Sequence, residues 1–205
     1  MAGSGTELEV KFYVTDLGGL EERARALGAR LVQARVHEVN LRFDTPDRQL
    51  SGTLQALRLR KDNEARVTYK GPSQEQDGAR LRKELEFTVS DFDAARELFE
   101  ALGYQLVVMY EKYRAVYALD RVLLTLDEMP YGQFAEIEGP DGAAIQNAAA
   151  RLGLDWECRI LDSYLTIFER LKKELGLAFQ HLSFENFQGL HMPVESLKVK
   201  AADAQ

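Results

Sequence analysis

Eight stretches of this chain alternate apolar and polar residues with a period of two, and in all of them the charge falls on one side. Residues 7–14 are the plainest case: Leu8, Val10, Phe12 and Val14 point one way, and Glu7, Glu9 and Lys11 the other. The same parity runs through about 34–44, 54–61, 65–71, 80–89, 105–118, 121–128 and 133–138. Each reads as a strand with one greasy and one charged face. An ordinary half-exposed sheet would account for any one of them. The set as a whole is different, because the charges come in blocks: Glu7, Glu9 and Lys11; Glu38 and Arg42; Arg58 and Arg60; Arg66 and Lys70; Arg82, Glu84 and Glu86; Lys112 and Arg114; Asp127; Glu136 and Glu138. Eight strands are about the number that closes a small barrel. If Leu8, Leu57, Leu59, Leu124 and Ile137 pack outward under helices, the charges turn inward. A dry lumen cannot hold them, since desolvation costs several kcal/mol per ion. The lumen must be wet and must have a use for its charge.

Four helices punctuate the strands, at about 17–27, 92–102, 142–152 and 161–175, stopped by Gly28, Gly103, Gly153 and Gly176. The polar run Pro72–Gly78 reads as a mobile loop. The chain also repeats itself. Glu7-Leu8-Glu9 and Glu84-Leu85-Glu86 lie 77 residues apart, and each is followed by a helix ending in Leu-Gly. A duplicated β-α-β-β-β unit follows. The expected class is α+β: a closed, eight-stranded antiparallel β-tunnel flanked by helices. No linker separates the halves, so residues 6–176 are expected to form one domain. Residues 177–205 are expected to be an extension, partly packed on it and loose over the last ten residues or so.

Composition excludes several functions. With 26 Lys plus Arg against 33 Asp plus Glu, the net charge is −7, a poor match for nucleic acid or an anionic membrane. No apolar run approaches the ~20 residues that span a bilayer. Met1–Gly5 lacks the features of a signal peptide, so a cytoplasmic protein is expected. Cys158 is the only cysteine and rules out an internal disulfide. His37, His181 and His191 are scattered, His37 falls on the apolar face, and Tyr164, Ile167 and Phe168 form a packing stripe. No glycine-rich phosphate loop is present. What remains is the lumen. Arg and Lys converging from several strands suit a multiply charged anion, with Arg forking onto phosphate oxygens. Paired carboxylates need a cation between them, and hard oxygen ligands suit Mg²⁺ or Mn²⁺. The combination points to phosphoryl or nucleotidyl chemistry.

These residues resemble the CYTH superfamily, the triphosphate tunnel metalloenzymes. The likeness runs through the E-x-E-x-K of Glu7, Glu9 and Lys11, then Arg42-Phe43-Asp44-Thr45-Pro46, Leu57-Arg58-Leu59-Arg60 and Thr68-Tyr69-Lys70-Gly71-Pro72. It continues through Arg82-Lys83-Glu84-Leu85-Glu86, Lys112-Tyr113-Arg114, Asp127 and Glu136-Ile137-Glu138, covering roughly residues 6–170. Arg42 departs from it, since Tyr is usual there. The resemblance implies an eight-stranded tunnel. It also implies metal-binding acids at Glu7, Glu9, Asp127, Glu136 and Glu138, and triphosphate-binding bases at Lys11, Arg58, Arg60, Lys70, Arg82, Lys112 and Arg114. Lys11, Arg60, Lys70 and Glu136 are the expected catalytic set. Glu84 and Glu86 either bind metal or balance the internal arginines.

The expected activity is a Mg²⁺- or Mn²⁺-dependent triphosphatase, acting on inorganic triphosphate, ATP or thiamine triphosphate. The alternative is a class IV adenylyl cyclase, making cyclic AMP and pyrophosphate in the same tunnel. A module that binds polyphosphate without turnover would need the bases but not the acids, which this chain has. The reading allows a homodimer and foresees neither a nucleic-acid nor a membrane partner.

Overall fold

The structure, a computed structural model, describes residues 3–203. Among the described residues nine strands and seven α-helices follow in chain order: β1 (Gly3–Val14), α1 (Leu17–Ala26), β2 (Arg30–Asp44), α2 (Gln49–Gly52), β3 (Ala56–Lys61), β4 (Ala65–Gln76), β5 (Ala79–Val89), α3 (Phe92–Ala101), β6 (Gln105–Leu119), β7 (Val122–Met129), β8 (Gly132–Glu138), α4 (Gly142–Arg151), β9 (Arg159–Ile160), α5 (Tyr164–Leu175), α6 (Phe184–Phe187) and α7 (Val194–Leu197). The expected repeat is there twice, as β1-α1-β2-β3-β4 and β5-α3-β6-β7-β8.

The sheet runs β5-β4-β3-β2-β6-β7-β8-β1 and returns, because β1 also pairs with β5. Eight antiparallel strands therefore close a ring. β1 makes the closure by dividing its length. Gly3 to Glu9 pair with β5, while Glu9 to Val14 pair with β8. Where β5 stops, β9 takes over against Lys11 and Phe12. Exchanging the two halves maps the ring onto itself, so β1 faces β5 and β2 faces β6, as a duplicated unit demands.

The apolar side packs outward. Leu8, Val10 and Phe12 of β1 and Leu124 and Ile137 of β7 and β8 are buried beneath Leu17 and Leu20 of α1, Ile145 of α4 and Leu152 at its C-cap. On the other half Leu41, Phe43, Leu59 and Val67 pack under α3 through Phe92, Ala95 and Phe99. Helix starts follow from side-chain caps. Asp16, Asp91, Asp141 and Ser163 each accept from a backbone N–H inside the first turn, which satisfies a donor that the helix leaves orphaned. The cover is incomplete at β5, where Leu85 and Phe87 stay exposed.

Two stretches differ from the sequence reading. Residues 72–76 are not loop: β4 bulges between Lys70 and Ser73 and then pairs Ser73–Gln76 with Ala79–Arg82 of β5. A bulge lets a strand absorb Pro72, which has no N–H to offer the ladder. The tail is also more firmly held than expected. Leu182 and Phe187 are buried against α5, Leu197 is 1 % exposed, and Ala202 N donates to Tyr13 O. Asp203 then accepts from the Thr15 and Asp16 amides at 2.8–2.9 Å. The polar composition hid these contacts, because single apolar residues and one terminal aspartate make them. Among the described residues no helix is long and apolar enough to cross a membrane.

Candidate active site

Inside the ring lies a charged chamber of about 240 Å³. All seven expected bases, Lys11, Arg58, Arg60, Lys70, Arg82, Lys112 and Arg114, line it, with Glu7, Glu9, Glu136 and Glu138. The neighbours Lys61 and Lys83 are exposed on the outside. Strand alternation alone produces that sorting.

The bases are held by acids, and the acids fall into two sets. On one wall Arg114 reaches Asp127 at 2.5 and 2.7 Å and Glu136 at 2.5 Å. Lys11 bonds the other Glu136 oxygen. Lys112 lies 3.2 Å from Asp127, which also accepts from the Tyr164 hydroxyl at 2.7 Å. Burial alone would depress the Arg114 guanidinium; Asp127 and Glu136 raise it well above its usual value. The same contacts, working against burial, hold Glu136 well below the usual carboxylate range. Asp127 is fully buried, and its two oxygens accept from Arg114, Lys112 and Tyr164. Glu38, also fully buried, sits 3.6 Å from Lys112 and 3.7 Å from Arg60. Burial opposes its charge, yet Lys112, Arg114 and Arg60 hold it down at about 2.

Two residues further along β1 and β8 the carboxylates face one another. Glu9 and Glu138 are direct cross-strand partners. Burial first, and then the charges of Glu7 and Glu136, raise Glu9. Desolvation, followed by Glu7 and Glu9, pushes Glu138 up to about 7, although it stands at the exposed rim. Neither makes an ion pair within 4 Å among the described residues. Lys70 enters this set: its ammonium donates to Glu7 at 2.6 Å and lies 2.8 Å from Glu84. It stands where a hard cation would be welcome. Among the described residues no three acids are grouped closely enough to coordinate one ion as they stand. The donor chemistry of Glu7, Glu9 and Glu138 fits a divalent cation, whereas Asp127 and Glu136 are already paired with bases. Glu84 and Glu86 balance charge: Glu84 pairs with Lys70, and Glu86 meets Arg58 and Arg60 at 3.5 and 3.4 Å.

Several lining residues escaped the sequence reading. Arg80 is one step further along the inward face of Arg82, Glu84 and Glu86. Tyr110 shares its face with Lys112 and Arg114; burial would raise its phenol, but Arg58, Lys112 and Arg42 lower it. Both were legible from parity. Tyr164, read as packing, does pack, and its ring also sits 4.2 Å from the Lys11 ammonium. Phe134 meets it edge to face, and Tyr13 and Tyr131 meet Phe134 the same way, which lines that end with aromatic rings. His37 sits outside, tilted against Tyr113 and Phe184, away from the chamber.

The CYTH domain profile matches residues 5–154. The chain belongs to the CYTH family. A Methanocaldococcus jannaschii protein provisionally named an adenylate cyclase is 30 % identical to this CYTH chain over 134 residues, which are 64 % of this chain and 75 % of that one. A Vibrio parahaemolyticus structure, also provisionally named an adenylate cyclase, superposes with a TM-score of 0.72 at 20 % identity, covering 82 % of this chain and 99 % of that one. A Hippeastrum protein, named provisionally as an adenylyl cyclase and described as having a dominant triphosphatase activity, gives 0.61 at 18 % identity, covering 80 % and 95 %. At these identities the two structures support the CYTH tunnel fold.

Proposed function

We propose that this CYTH protein is a divalent-metal-dependent enzyme that binds a triphosphate along its tunnel and hydrolyses it. The observation that carries this reading is the division of the chamber: seven bases converge with buttressing acids behind them, and Glu9 and Glu138 face the lumen without ion-pair partners among the described residues. Lys11, Arg58, Arg60, Lys112 and Arg114 grip the phosphate oxygens. Glu136 and Asp127 hold Lys11, Lys112 and Arg114 in place, so the bases are aimed before substrate arrives. Glu7, Glu9 and Glu138 would hold Mg²⁺ or Mn²⁺, which when bound offsets phosphate charge toward an incoming nucleophile. Lys70 then turns from balancing carboxylates to contacting phosphate.

Cyclisation of ATP is the second reading, favoured by the name of the 30 % identical relative. The Hippeastrum protein's described activity supports placing hydrolysis first, since it carries a cyclase name on the same fold. One panel separates the two. ATP, thiamine triphosphate and inorganic triphosphate are each incubated with Mg²⁺ or Mn²⁺, and phosphate, pyrophosphate and cyclic AMP are measured separately. Phosphate release in excess of cyclic AMP supports hydrolysis; stoichiometric pyrophosphate and cyclic AMP would replace it with cyclisation.

A further inference from the structure

The CYTH profile ends at residue 154, yet the chamber takes a side chain from beyond it. Tyr164, the first residue of α5, is 8 % exposed and lines the lumen. Its hydroxyl donates to Asp127 Oδ2 at 2.7 Å, the same oxygen that meets Lys112 at 3.2 Å and Arg114 at 2.5 Å. Its ring centroid lies 4.2 Å from the Lys11 ammonium and 5.4 Å from that of Lys112. One side chain therefore touches two bases on two strands, β1 and β6, together with the acid that aims one of them. An aromatic face attracts an ammonium without neutralising it. The ring thus steadies both lysines and leaves their charge to a ligand. A single carboxylate oxygen has too few lone pairs to satisfy three donors fully. The hydroxyl competes with Lys112 for Oδ2 and keeps that ammonium from closing onto Asp127.

Tyr164 has little freedom of its own. Ser163 caps α5 by accepting from Thr166 N, and the Tyr131 hydroxyl donates to Tyr164 O at 2.9 Å. Behind it Ile167, Phe168 and Leu171 are fully buried in one cluster with Leu182, Phe187 and Leu197. The last three come from the extension after Gly176, and that extension is fastened at two places. Leu182 bridges to Tyr110 of β6: its N–H donates to Met109 O, and its carbonyl accepts from Glu111 N, both at 2.9 Å. At the far end Ala201 bridges to Tyr13 of β1, Ala202 N donates to Tyr13 O, and Asp203 holds the Thr15 and Asp16 amides. Tyr110 stands two residues before Lys112, and Tyr13 two residues after Lys11. The extension is anchored on the same two strands whose lysines Tyr164 touches.

We propose that residues 177–203 are a strap that fixes α5 across β1 and β6, and that Tyr164 is thereby a positioning residue, aiming Lys11 and Lys112 at the phosphate chain. This rests on the triphosphate reading above and names what sets the grip of that site. Without the hydroxyl, Asp127 draws Lys112 away from the lumen. A shift of α5 withdraws the ring from both lysines. Either change weakens substrate binding before it slows the chemistry, because the strap acts on the gripping bases and through them alone.

The test uses the full chain with Mn²⁺ and whichever of ATP, thiamine triphosphate and inorganic triphosphate it turns over best. Tyr164→Phe should raise KM about fivefold with kcat within about twofold, and Tyr164→Leu, which also loses the ring, should raise KM further. Calorimetric titration with the same triphosphate in excess chelator reads the grip apart from turnover and should weaken in the same order. Asp203→Ala loosens the strap outside the chamber and should also raise KM. Because it acts through Tyr164, it should add less than about twofold in the Tyr164→Leu background. Thermal melting confirms that each variant is folded at the assay temperature. A merely structural role would lower the melting temperature and kcat at unchanged KM. That result, or an Asp203→Ala effect that multiplies in full with Tyr164→Leu, would overturn the proposal while the tunnel reading stands. A wild-type chain that neither binds nor turns over any of the three triphosphates would overturn both.

Discussion

Arg60 and Lys61 are adjacent cations on one strand that face opposite solvents, and their contrast tests the tunnel most directly. Arg60 is 12 % exposed inside the ring, with Glu86, Asp62 and Glu38 at 3.4, 3.5 and 3.7 Å. None of the three is a close forked pair, so the guanidinium is held in position while its donors remain available to a ligand. Lys61 is exposed outside, its ammonium 5.4 Å from the Phe92 ring. Replacing Arg60 by Ala removes a charge-assisted contact worth about 1.5–3 kcal/mol. At about 1.4 kcal/mol per factor of ten, that is roughly ten- to a hundred-fold in kcat/KM. Arg60→Lys should recover part, because a point charge replaces a planar fork. Lys61→Ala removes a solvated charge and should stay within about twofold. Steady-state kinetics on the best substrate and calorimetric titration with the same triphosphate give two independent readings. Equal damage from Arg60→Ala and Lys61→Ala would refute the inward–outward parity. Silence from both would show that the triphosphate is held elsewhere.

Further outcomes follow from the two sets of acids. Glu9→Gln should weaken activation by Mn²⁺, read as a rightward shift of the metal titration, and excess chelator should abolish turnover. In metal-free protein the raised Glu138 and Glu9 pKa values mean that the unfolded chain releases those protons first as pH rises. Stability should therefore fall between about pH 4.5 and 7 and then level off. Melting temperature against pH shows the slope, and Glu138→Gln should flatten it; a rising melting temperature across that window would contradict the carboxylate crowding. At the acid end the opposite sign holds for Glu38, whose contribution is complete above about 4.5 and is lost as pH falls toward 2. Arg114→Met should cost about 3 kcal/mol in urea unfolding, since it removes the closest basic partner of the buried Asp127. The double variant with Asp127→Leu should regain part of that.

Period-two alternation carried most of the fold. It placed Lys11, Arg58, Arg60 and Glu136 inside and Leu8, Leu59 and Ile137 outside, because a closed ring leaves each side chain only two directions. It did not distinguish working acids from buttressing ones. Asp127 and Glu138 have the same parity, yet one is walled in by Lys112, Arg114 and Tyr164 and the other stands at the rim. That difference depends on which strand end α5 covers, a contact between residues 37 apart in sequence. Arg80 and Tyr110 follow the same alternation, but they stand outside the E-x-E and K-x-R blocks. The pairing of Ser73–Gln76 and the anchoring of Asp203 were not readable, since neither rests on a periodic pattern.

The divided pairing of β1 also sets a timetable for folding. Its first half waits for β5, about 75 residues downstream, and its second half for β8, which lies 119 to 129 residues away. Contacts so distant in sequence carry a large loop-closure cost, and ring closure is expected to be the slow, late event. During synthesis β1 therefore emerges long before either partner, with both edges bare. A bare strand of eight alternating residues invites pairing with another chain. Glu7, Glu9 and Lys11 interrupt that hazard by placing charge at every second position. The residues that equip the finished tunnel thus also keep its first strand from aggregating while it waits.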